Sequence, residues 1–170
     1  MIYGIIDVGS NTIRLSIYKY ENNKVILLLN KKTMAGLAGY VKDGELSNAG
    51  IKRACEVLKA YREIVDNFQI DNVFVFATAS LRNVSNTDEA VLRIKEETGF
   101  NTEIILGENE AIYDFIGASQ VVDISDGILI NTEKLNLKLK NKDENYIIKT
   151  IEASPKIETL KINIFEYEIC

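Results

Sequence analysis

Residues 3–20 read YGIIDVGSNTIRLSIYKY, and this stretch decides the fold. Its first part, residues 3–9, is a short apolar run typical of a buried strand, and residues 12–20 alternate apolar and polar side chains as a half-buried strand does. The two strands are separated by a polar turn of Gly9, Ser10 and Asn11. Turn chemistry alone explains these residues, but a loop that binds phosphate through its backbone N–H groups also needs them.

The residues that follow the turn predict an antiparallel meander. Residues 24–34 (KVILLLNKKTM) form a third apolar-rich strand. Residues 20–24 (YENNK) are typical of a hairpin turn, because asparagine adopts positive φ angles at low cost. Three successive strands joined by tight turns are expected to pair in sequence order.

Residues 35–122 predict helices that alternate with strands. Ser47 is placed to cap a helix whose apolar residues recur at helical spacing. The second helix follows a cap at Ser85 or Asn86 and ends at Gly99. In chain order the elements are a glycine-containing loop (35–47), a helix from 48, a buried strand (71–80), a helix (83–100), a strand (101–106) and a helix (107–122).

This order of elements predicts an α/β fold. A three-stranded meander followed by βα units gives a mixed sheet covered by helices, which is the ribonuclease-H-like arrangement of the actin-like ATPase superfamily. Beyond residue 126 the sequence changes to short strand-like segments rich in Asn, Lys and Ile. We therefore expect a boundary near residues 121–126, with one domain over residues 1–123 and a short β-rich tail over residues 124–170.

Composition limits the classes of function. The 170 residues are enough for one ordinary domain, or for one domain and part of a second. A formal net charge of −5 argues against a general nucleic-acid or acidic-membrane binder, so a polyanion would bind only through local groups. No apolar run approaches the roughly 20 residues that cross a bilayer, and no signal peptide is recognisable, so we expect a cytoplasmic protein without membrane contact.

The chain contains no histidine. Acid–base chemistry is therefore left to Asp, Glu, Lys or Tyr, and zinc ligation by imidazole is excluded. The two cysteines, Cys55 and Cys170, are expected to be a buried small residue on a helix and a loose chain end. They form neither a metal-site pattern nor a disulfide framework.

The first of three candidate motifs is DVGSNT, at residues 7–12. Gly9 lets a ligand approach the backbone closely, and Ser10 and Asn11 add side-chain donors. Asp7, on the strand, is placed to hold Mg²⁺ or a metal-bound water. A hairpin turn that needs Gly and Asn explains the same residues without any ligand.

The other two motifs follow later strands. In ATASLRNVSN (77–86) a strand ends in small residues, and Arg82 lies where α/β sheets usually bind ligands. It is either an arginine that forks onto phosphate oxygens or a solvated surface residue. The third motif, ILGENEAIYDFIG (105–117), opens a helix with Glu108 and Glu110. Acids in a first helical turn favour the helix dipole without any function, but either one is a candidate general base that activates water.

Together, the order and spacing of these motifs resemble the exopolyphosphatase and guanosine pentaphosphate phosphohydrolase (Ppx/GppA) family. The resemblance covers about residues 2–130, and residues 34–58 fit the stretch between the motifs. It implies an actin-like N-terminal domain, a cleft between two such domains, and Mg²⁺ as cofactor. It also implies removal of terminal phosphate from inorganic polyphosphate or from guanosine pentaphosphate, with polyphosphate or guanosine penta- or tetraphosphate as ligands.

The resemblance implies a role for each candidate residue. The first phosphate loop corresponds to the turn after the first strand, and a basic residue follows this loop in relatives. The roles implied are metal ligation for Asp7, phosphate binding for Gly9, Ser10, Asn11 and Arg14, substrate binding for Arg82, and general base for Glu110.

One departure from the family pattern concerns the second phosphate loop, of the form Asp-Ile-Gly-Gly-Gly-Ser-Thr-Glu, which opens the second domain. At that point this chain reads DGILINTEKLNLKLK (126–140), with Asn131 in place of the Asp and without the glycines. The tail is either a degenerate start of the second domain or an out-of-frame read-through.

The sequence thus leaves three alternatives: a hydrolase of phosphoanhydrides, a polyphosphate- or nucleotide-binding module without turnover, and a structural remnant. A half-cleft exposes the surface that normally faces the second domain. We therefore expect a homodimer, or a partner chain that supplies the missing half.

Overall fold

The computed structural model describes residues 1–119, 135–140 and 146–151. The chain divides into two compact units, Met1–Ile105 and Leu106–Cys170, and each is a separate body in the description that follows. The domain boundary expected near residues 121–126 lies outside the described residues, as do the strand-like segments expected around residue 128 and after residue 155.

The elements of both units agree with the predicted alternation of strands and helices. The first unit consists of β1 (Ile2–Val8), β2 (Thr12–Glu21), β3 (Lys24–Met34), a 3-10 helix (Leu37–Tyr40), β4 (Val41–Lys42), β5 (Glu45–Leu46), α1 (Asn48–Asn67), β6 (Asn72–Ala77), α2 (Ala79–Arg82), α3 (Thr87–Thr98) and β7 (Thr102–Ile104). The described part of the second unit contains α4 (Gly107–Ser119) and the antiparallel strands β8 (Leu135–Lys140) and β9 (Tyr146–Ile151).

A five-stranded mixed sheet forms the frame of the first unit, in the order β3-β2-β1-β6-β7. The meander is confirmed, since β1 pairs antiparallel with β2, and β2 with β3. Asn22 and Asn23 have φ angles of 51° and 59°, as expected for the hairpin between β2 and β3. The strand β6 then pairs parallel with β1, and β7 pairs parallel with β6. Parallel pairing brings the carboxyl ends of β1, β6 and β7 to one edge of the sheet.

The hydrophobic core lies on one face of this sheet. The register sets Ile6 opposite Leu15 and Val8 opposite Ile13, and all four side chains are fully buried. Burying an aliphatic side chain of this size contributes about 1.5–3 kcal/mol. The helix α1 completes the core with one apolar stripe, whose buried members include Ile51, Cys55, Leu58, Tyr61 and Val65. Burial raises the pKa of the Cys55 thiol, so this cysteine is the inert buried residue that the sequence predicts.

Tyr61 joins α1 to the meander through its buried hydroxyl group. The hydroxyl oxygen lies 2.8 Å from the carbonyl oxygen of Ile13 and 2.8 Å from the Thr33 hydroxyl. A third oxygen, the carbonyl of Lys31, is 3.2 Å away. Burial raises the pKa of Tyr61, so the phenol stays protonated and can donate to a carbonyl while accepting from Thr33.

The helix caps agree with the sequence in two places and differ in a third. Ser47 caps α1 by accepting a hydrogen bond from the Gly50 N–H at 3.4 Å, and Gly99 ends α3 with a φ of 71°. Asn86 occupies the N-cap position of α3 but makes no side-chain cap bond. Its amide instead bonds both the N–H and the carbonyl of Leu46, at 2.9 Å each, and so fastens the β4–β5 hairpin.

The prediction that β6 is a buried strand is correct for only part of the strand. Val75 and Ala77 are buried, Val73 and Phe76 are half-buried, and Asn72 is exposed. Phe74 is 59% exposed, because alternate residues point to the face opposite the core. Among the described residues, no helix is both long and apolar enough to cross a membrane.

The Tyr61 hydroxyl gives the first testable prediction. We expect Tyr61→Phe to lower the free energy of unfolding by about 1–3 kcal/mol, since it leaves buried acceptors without a donor. Urea unfolding followed by circular dichroism measures this value. Tyr20→Phe is the matched control, because the Tyr20 hydroxyl bonds Asn23 at the surface. A change of equal size in both variants would contradict the structural role of the Tyr61 hydroxyl.

Candidate functional site

The candidate site lies at the edge of the sheet where β1 and β6 both end. Val8 pairs with Ala77, so the turn after β1 and the connection after β6 leave the sheet side by side. The Ser80 hydroxyl donates to the Val8 carbonyl at 2.5 Å and holds the two segments together. Ligands of open α/β sheets usually bind outside such carboxyl ends.

The turn after β1 needs a glycine for steric reasons. The Gly9 N–H donates to the Thr12 carbonyl at 3.1 Å, which closes the turn. A Cβ atom at Gly9 would lie 2.9 Å from that same carbonyl oxygen, closer than real Cβ contacts. A larger residue would therefore displace the backbone of the turn.

Residues 35–38, which we call the supporting segment, bind the turn through hydrogen bonds to its carbonyl groups. The Asn11 carbonyl accepts from the N–H groups of Ala35 and Gly36, at 3.0 and 2.9 Å. The Ser10 carbonyl accepts from the Ala38 N–H at 2.9 Å. Gly36 has a φ of 63°, a left-handed conformation that favours glycine. The carbonyls of the turn are thus bound within the protein.

The backbone N–H groups of Ser10 and Asn11, unlike their carbonyls, make no hydrogen bond to the supporting segment. Within residues 1–119, no backbone carbonyl accepts from the N–H of Ser10 or of Asn11. Ser10 is half-buried and Asn11 is exposed. These N–H donors are compatible both with a loop that binds an anion and with a simple hairpin turn.

Arg82 lies at the same edge, in the short helix α2. Its Nη1 donates to the Ile105 carbonyl at 2.8 Å, and the Ile105 N–H donates to the Ala77 carbonyl at 3.0 Å. The half-buried guanidinium is therefore anchored where β6 and β7 end, rather than extended into solvent. A fixed guanidinium presents a planar set of donors to an anion at lower entropic cost than a mobile one.

Asp7 and Arg14 face each other across β1 and β2. They are a directly opposed pair in the antiparallel register, so both side chains lie on the face opposite the core. Asp7 is half-buried and Arg14 is exposed. The first unit thus brings together six of the seven predicted site residues: Asp7, Gly9, Ser10, Asn11, Arg14 and Arg82.

The seventh residue, Glu110, belongs to the second unit. It lies in the first turn of α4, where its N–H donates to the Leu106 carbonyl at 3.0 Å. Its side chain is half-buried, whereas that of Glu108 is exposed. The two acids that the sequence leaves as alternatives therefore differ in their surroundings within α4.

Asp7 is the residue of the edge whose chemistry suits a divalent cation. The described residues contain no cluster of three or more Asp, Glu or Cys side chains that could enclose a metal. Magnesium is usually held by one or two carboxylates together with substrate phosphates and water, rather than by an all-protein cage. A single carboxylate beside a turn that could bind a phosphate-containing substrate would fit that mode.

Two parts of the site escape prediction from the sequence. In the sequence Ser80 is only one of several small residues that follow a strand, and its hydroxyl bond to Val8 depends on the parallel pairing of β1 with β6. The supporting segment appears in the sequence as a loop with glycines, and nothing in its composition indicates that its N–H groups contact a turn 25 residues earlier.

Comparison with known protein families and curated proteins gives one consistent relationship. The sequence profile of the Ppx/GppA phosphatase family matches residues 16–132. A bifunctional 3-dehydroquinate synthase/phosphatase of Fusobacterium nucleatum is 32% identical over 136 residues, covering 74% of this chain and 20% of that protein. A guanosine-5'-triphosphate,3'-diphosphate pyrophosphatase of Aliivibrio fischeri is 29% identical over 111 residues, covering 65% of this chain and 22% of that protein.

Solved structures agree with this relationship. An exopolyphosphatase from Cytophaga hutchinsonii superimposes with a TM-score of 0.71 and 33% identity, over 75% of this chain and 41% of that one. The Ppx/GppA family member of Aquifex aeolicus gives a TM-score of 0.68 and 28% identity, over 74% of this chain and 42% of that one. These likenesses confirm the ribonuclease-H-like fold of the actin-like superfamily. This chain spans about a fifth of the length of the curated relatives.

The turn geometry gives the second testable prediction. We expect Gly9→Ala to destabilise the protein by about 1–3 kcal/mol, because the added methyl group meets a backbone carbonyl that cannot move alone. We also expect the amide resonances of Ser10 and Asn11 to shift in a ¹⁵N–¹H NMR spectrum. Gly39→Ala is the control, since a Cβ there has nothing within 4 Å. Equal stability and unshifted resonances in Gly9→Ala would contradict the steric requirement.

Proposed function

The chain belongs to the Ppx/GppA phosphatase family, and from that membership we propose that it hydrolyses phosphoanhydride bonds and releases orthophosphate. The substrates proposed are inorganic polyphosphate and guanosine pentaphosphate, in line with relatives named exopolyphosphatase and guanosine-5'-triphosphate,3'-diphosphate pyrophosphatase. The observation that carries the proposal is the turn at Gly9–Asn11. Its carbonyls accept hydrogen bonds from the supporting segment. It lies at the carboxyl edge of the sheet, as does Arg82, whose guanidinium donates to the Ile105 carbonyl.

The proposed role of the first unit is to bind and orient the terminal phosphate. The N–H groups of Ser10 and Asn11 donate to phosphate oxygens, and the Ser10 hydroxyl adds a further donor. The Arg82 guanidinium, positioned by the Ile105 carbonyl, neutralises charge on the same group. Preorganised donors of this kind contribute most when charge spreads over the phosphoryl oxygens in the transition state.

The proposed chemical step is attack of water on the terminal phosphorus atom. Glu110 accepts a proton as the water oxygen bonds to phosphorus, and the bridging P–O bond breaks with its electron pair staying on the leaving oxygen. The products are orthophosphate and a chain shorter by one phosphate, and the proton leaves Glu110 for solvent. Asp7 would hold Mg²⁺ together with the substrate, and the cation supplies positive charge that neutralises phosphate oxygens.

A second candidate function is binding without turnover. It is favoured by the sequence at Asn131, where the second phosphate loop of the family pattern has an Asp followed by glycines. Without glycines the backbone cannot approach the far side of the phosphate closely. In this proposal residues 1–123 form the actin-like domain, and residues 124–170 are a degenerate start of the second one. A second copy or a partner chain would then supply the missing loop.

The general base gives the third testable prediction. We expect Glu110→Gln to reduce release of orthophosphate from polyphosphate by about 10²- to 10⁴-fold, because the amide cannot accept the proton from water. Polyphosphate affinity, measured by isothermal titration calorimetry, should stay within about twofold of the unsubstituted chain, since no phosphate contact is lost.

Glu108→Gln is the matched control, because it makes the same change two residues earlier at an exposed position of the same helix. It should retain full release. Loss of release in Glu108→Gln with retention in Glu110→Gln would refute the assignment of the base. Polyphosphate binding by the unsubstituted chain without any release would establish the second candidate function instead.

A further inference from the structure

A row of charged residues crosses the meander on the face opposite the core. The register sets Asp7 of β1 opposite Arg14 of β2, and Arg14 opposite Lys32 of β3. Directly opposed residues share a face of the sheet. The neighbouring Thr33 contacts Tyr61 of α1 and so lies on the core face, which places Lys32 on the other one. In the register this row is one residue pair further from the turn at Gly9–Asn11 than the pair of Val8 and Ile13.

The second cation of this row, Lys32, has no opposite charge across from it in the register, since its partner is Arg14. Arg14 and Lys32 are directly opposed like charges, an arrangement that destabilises a sheet. Both side chains are exposed. Neither joins an ion pair within residues 1–119, unlike other cations there such as Lys19, Arg53, Lys59, Arg62 and Arg93. An anion bound between the two side chains would remove their mutual repulsion.

We propose that Arg14 and Lys32 together form a distal subsite for a chain of linked phosphates whose terminal group occupies the turn. The subsite rests on the proposed function and specifies its substrate class. Neighbouring strands lie about 4.8 Å apart, so β3 runs roughly 10 Å from β1. A ligand that contacts both the turn and Lys32 must extend across two strands. Linked phosphates span that distance.

An edge strand often carries lysines for another reason. The strand β3 lies at the edge of the sheet, and lysines at such edges prevent pairing with other chains. That role does not depend on which face a lysine occupies, because any charge on the strand disfavours pairing. Lys31, adjacent to Lys32 and equally exposed, lies on the opposite face, since its register partner is the core residue Leu15. Substituting each lysine in turn therefore distinguishes edge protection, which both lysines provide, from phosphate binding, which only Lys32 would provide.

The experiment compares Lys32→Gln with Lys31→Gln in the full chain. Both variants lose one positive charge from the same strand, so they are matched in net charge. Affinities for long-chain polyphosphate, guanosine 5'-triphosphate 3'-diphosphate and orthophosphate are measured by titration calorimetry at several salt concentrations. Circular dichroism establishes that both variants are folded.

We expect Lys32→Gln to weaken polyphosphate binding by about threefold to fivefold, the effect of one exposed charge contact. The salt dependence of binding should also fall, because one fewer counterion is released. Orthophosphate binding should be unchanged in both variants, and Lys31→Gln should bind polyphosphate as the unsubstituted chain does. A loss confined to the guanosine compound would also support the subsite and identify the nucleotide as the source of the linked phosphates.

Three results would overturn the subsite. If both variants weaken polyphosphate binding equally, the effect is due to the overall charge of the chain. If Lys32→Gln weakens the binding of orthophosphate and of polyphosphate equally, Lys32 contacts the terminal phosphate rather than a phosphate beyond it. If Lys32→Gln leaves the binding of both polyphosphate and the guanosine compound unchanged, the subsite is removed and the proposed function stays intact, whereas absence of binding of both compounds by the unsubstituted chain would refute both proposals.

Discussion

The parallel pairing of β1 with β6 is the constraint on which the rest of the site depends. Between them, β1 and β6 bring together a turn and an arginine-bearing connection that are about 70 residues apart in sequence. The Ser80 hydroxyl then fixes the two segments at the Val8 carbonyl. Antiparallel pairing would have sent the connection after β6 to the opposite edge of the sheet. The site therefore depends first on the topology of the sheet and only then on individual side chains.

The turn at the end of β1 shows how a backbone can be rigid and still available to a ligand. The N–H groups of the supporting segment satisfy the carbonyls of Ser10 and Asn11, so the turn is held by groups that a ligand does not need. Each such intramolecular hydrogen bond contributes about 0.5–1.5 kcal/mol, so the supporting segment also contributes to stability. Arg53 extends this support by donating from Nη2 to the Met34 carbonyl at 2.9 Å, directly before the supporting segment. The same set of hydrogen bonds thus both folds the loop and preorganises the turn.

Local patterns predict most of the fold, and contacts between distant segments explain what they miss. The alternation in β2, the Asn22–Asn23 hairpin and the Ser47 cap are decided by residues within one turn or strand, so the sequence predicts them correctly. The exposure of Phe74 depends on what covers each face of the sheet, which the sequence of β6 does not contain. For the candidate site, the motifs identify the residues of the turn and Arg82, but not the anchoring of Arg82 on Ile105. That contact depends on where β7 ends next to β6.

The acidic composition of the chain bears on how it would recognise a polyanion. A net charge of −5 does not attract phosphate from a distance, but charges beyond about 8 Å are largely screened at physiological ionic strength. Recognition then depends on groups at the edge of the sheet, and backbone N–H donors suit this purpose because they add no net charge. Cations can be few if each is placed at the spacing of the ligand, as the opposed pair of Arg14 and Lys32 would be. Such a site distinguishes anions by the arrangement of their phosphates rather than by total charge, unlike basic proteins whose affinity for nucleic acid comes mainly from counterion release.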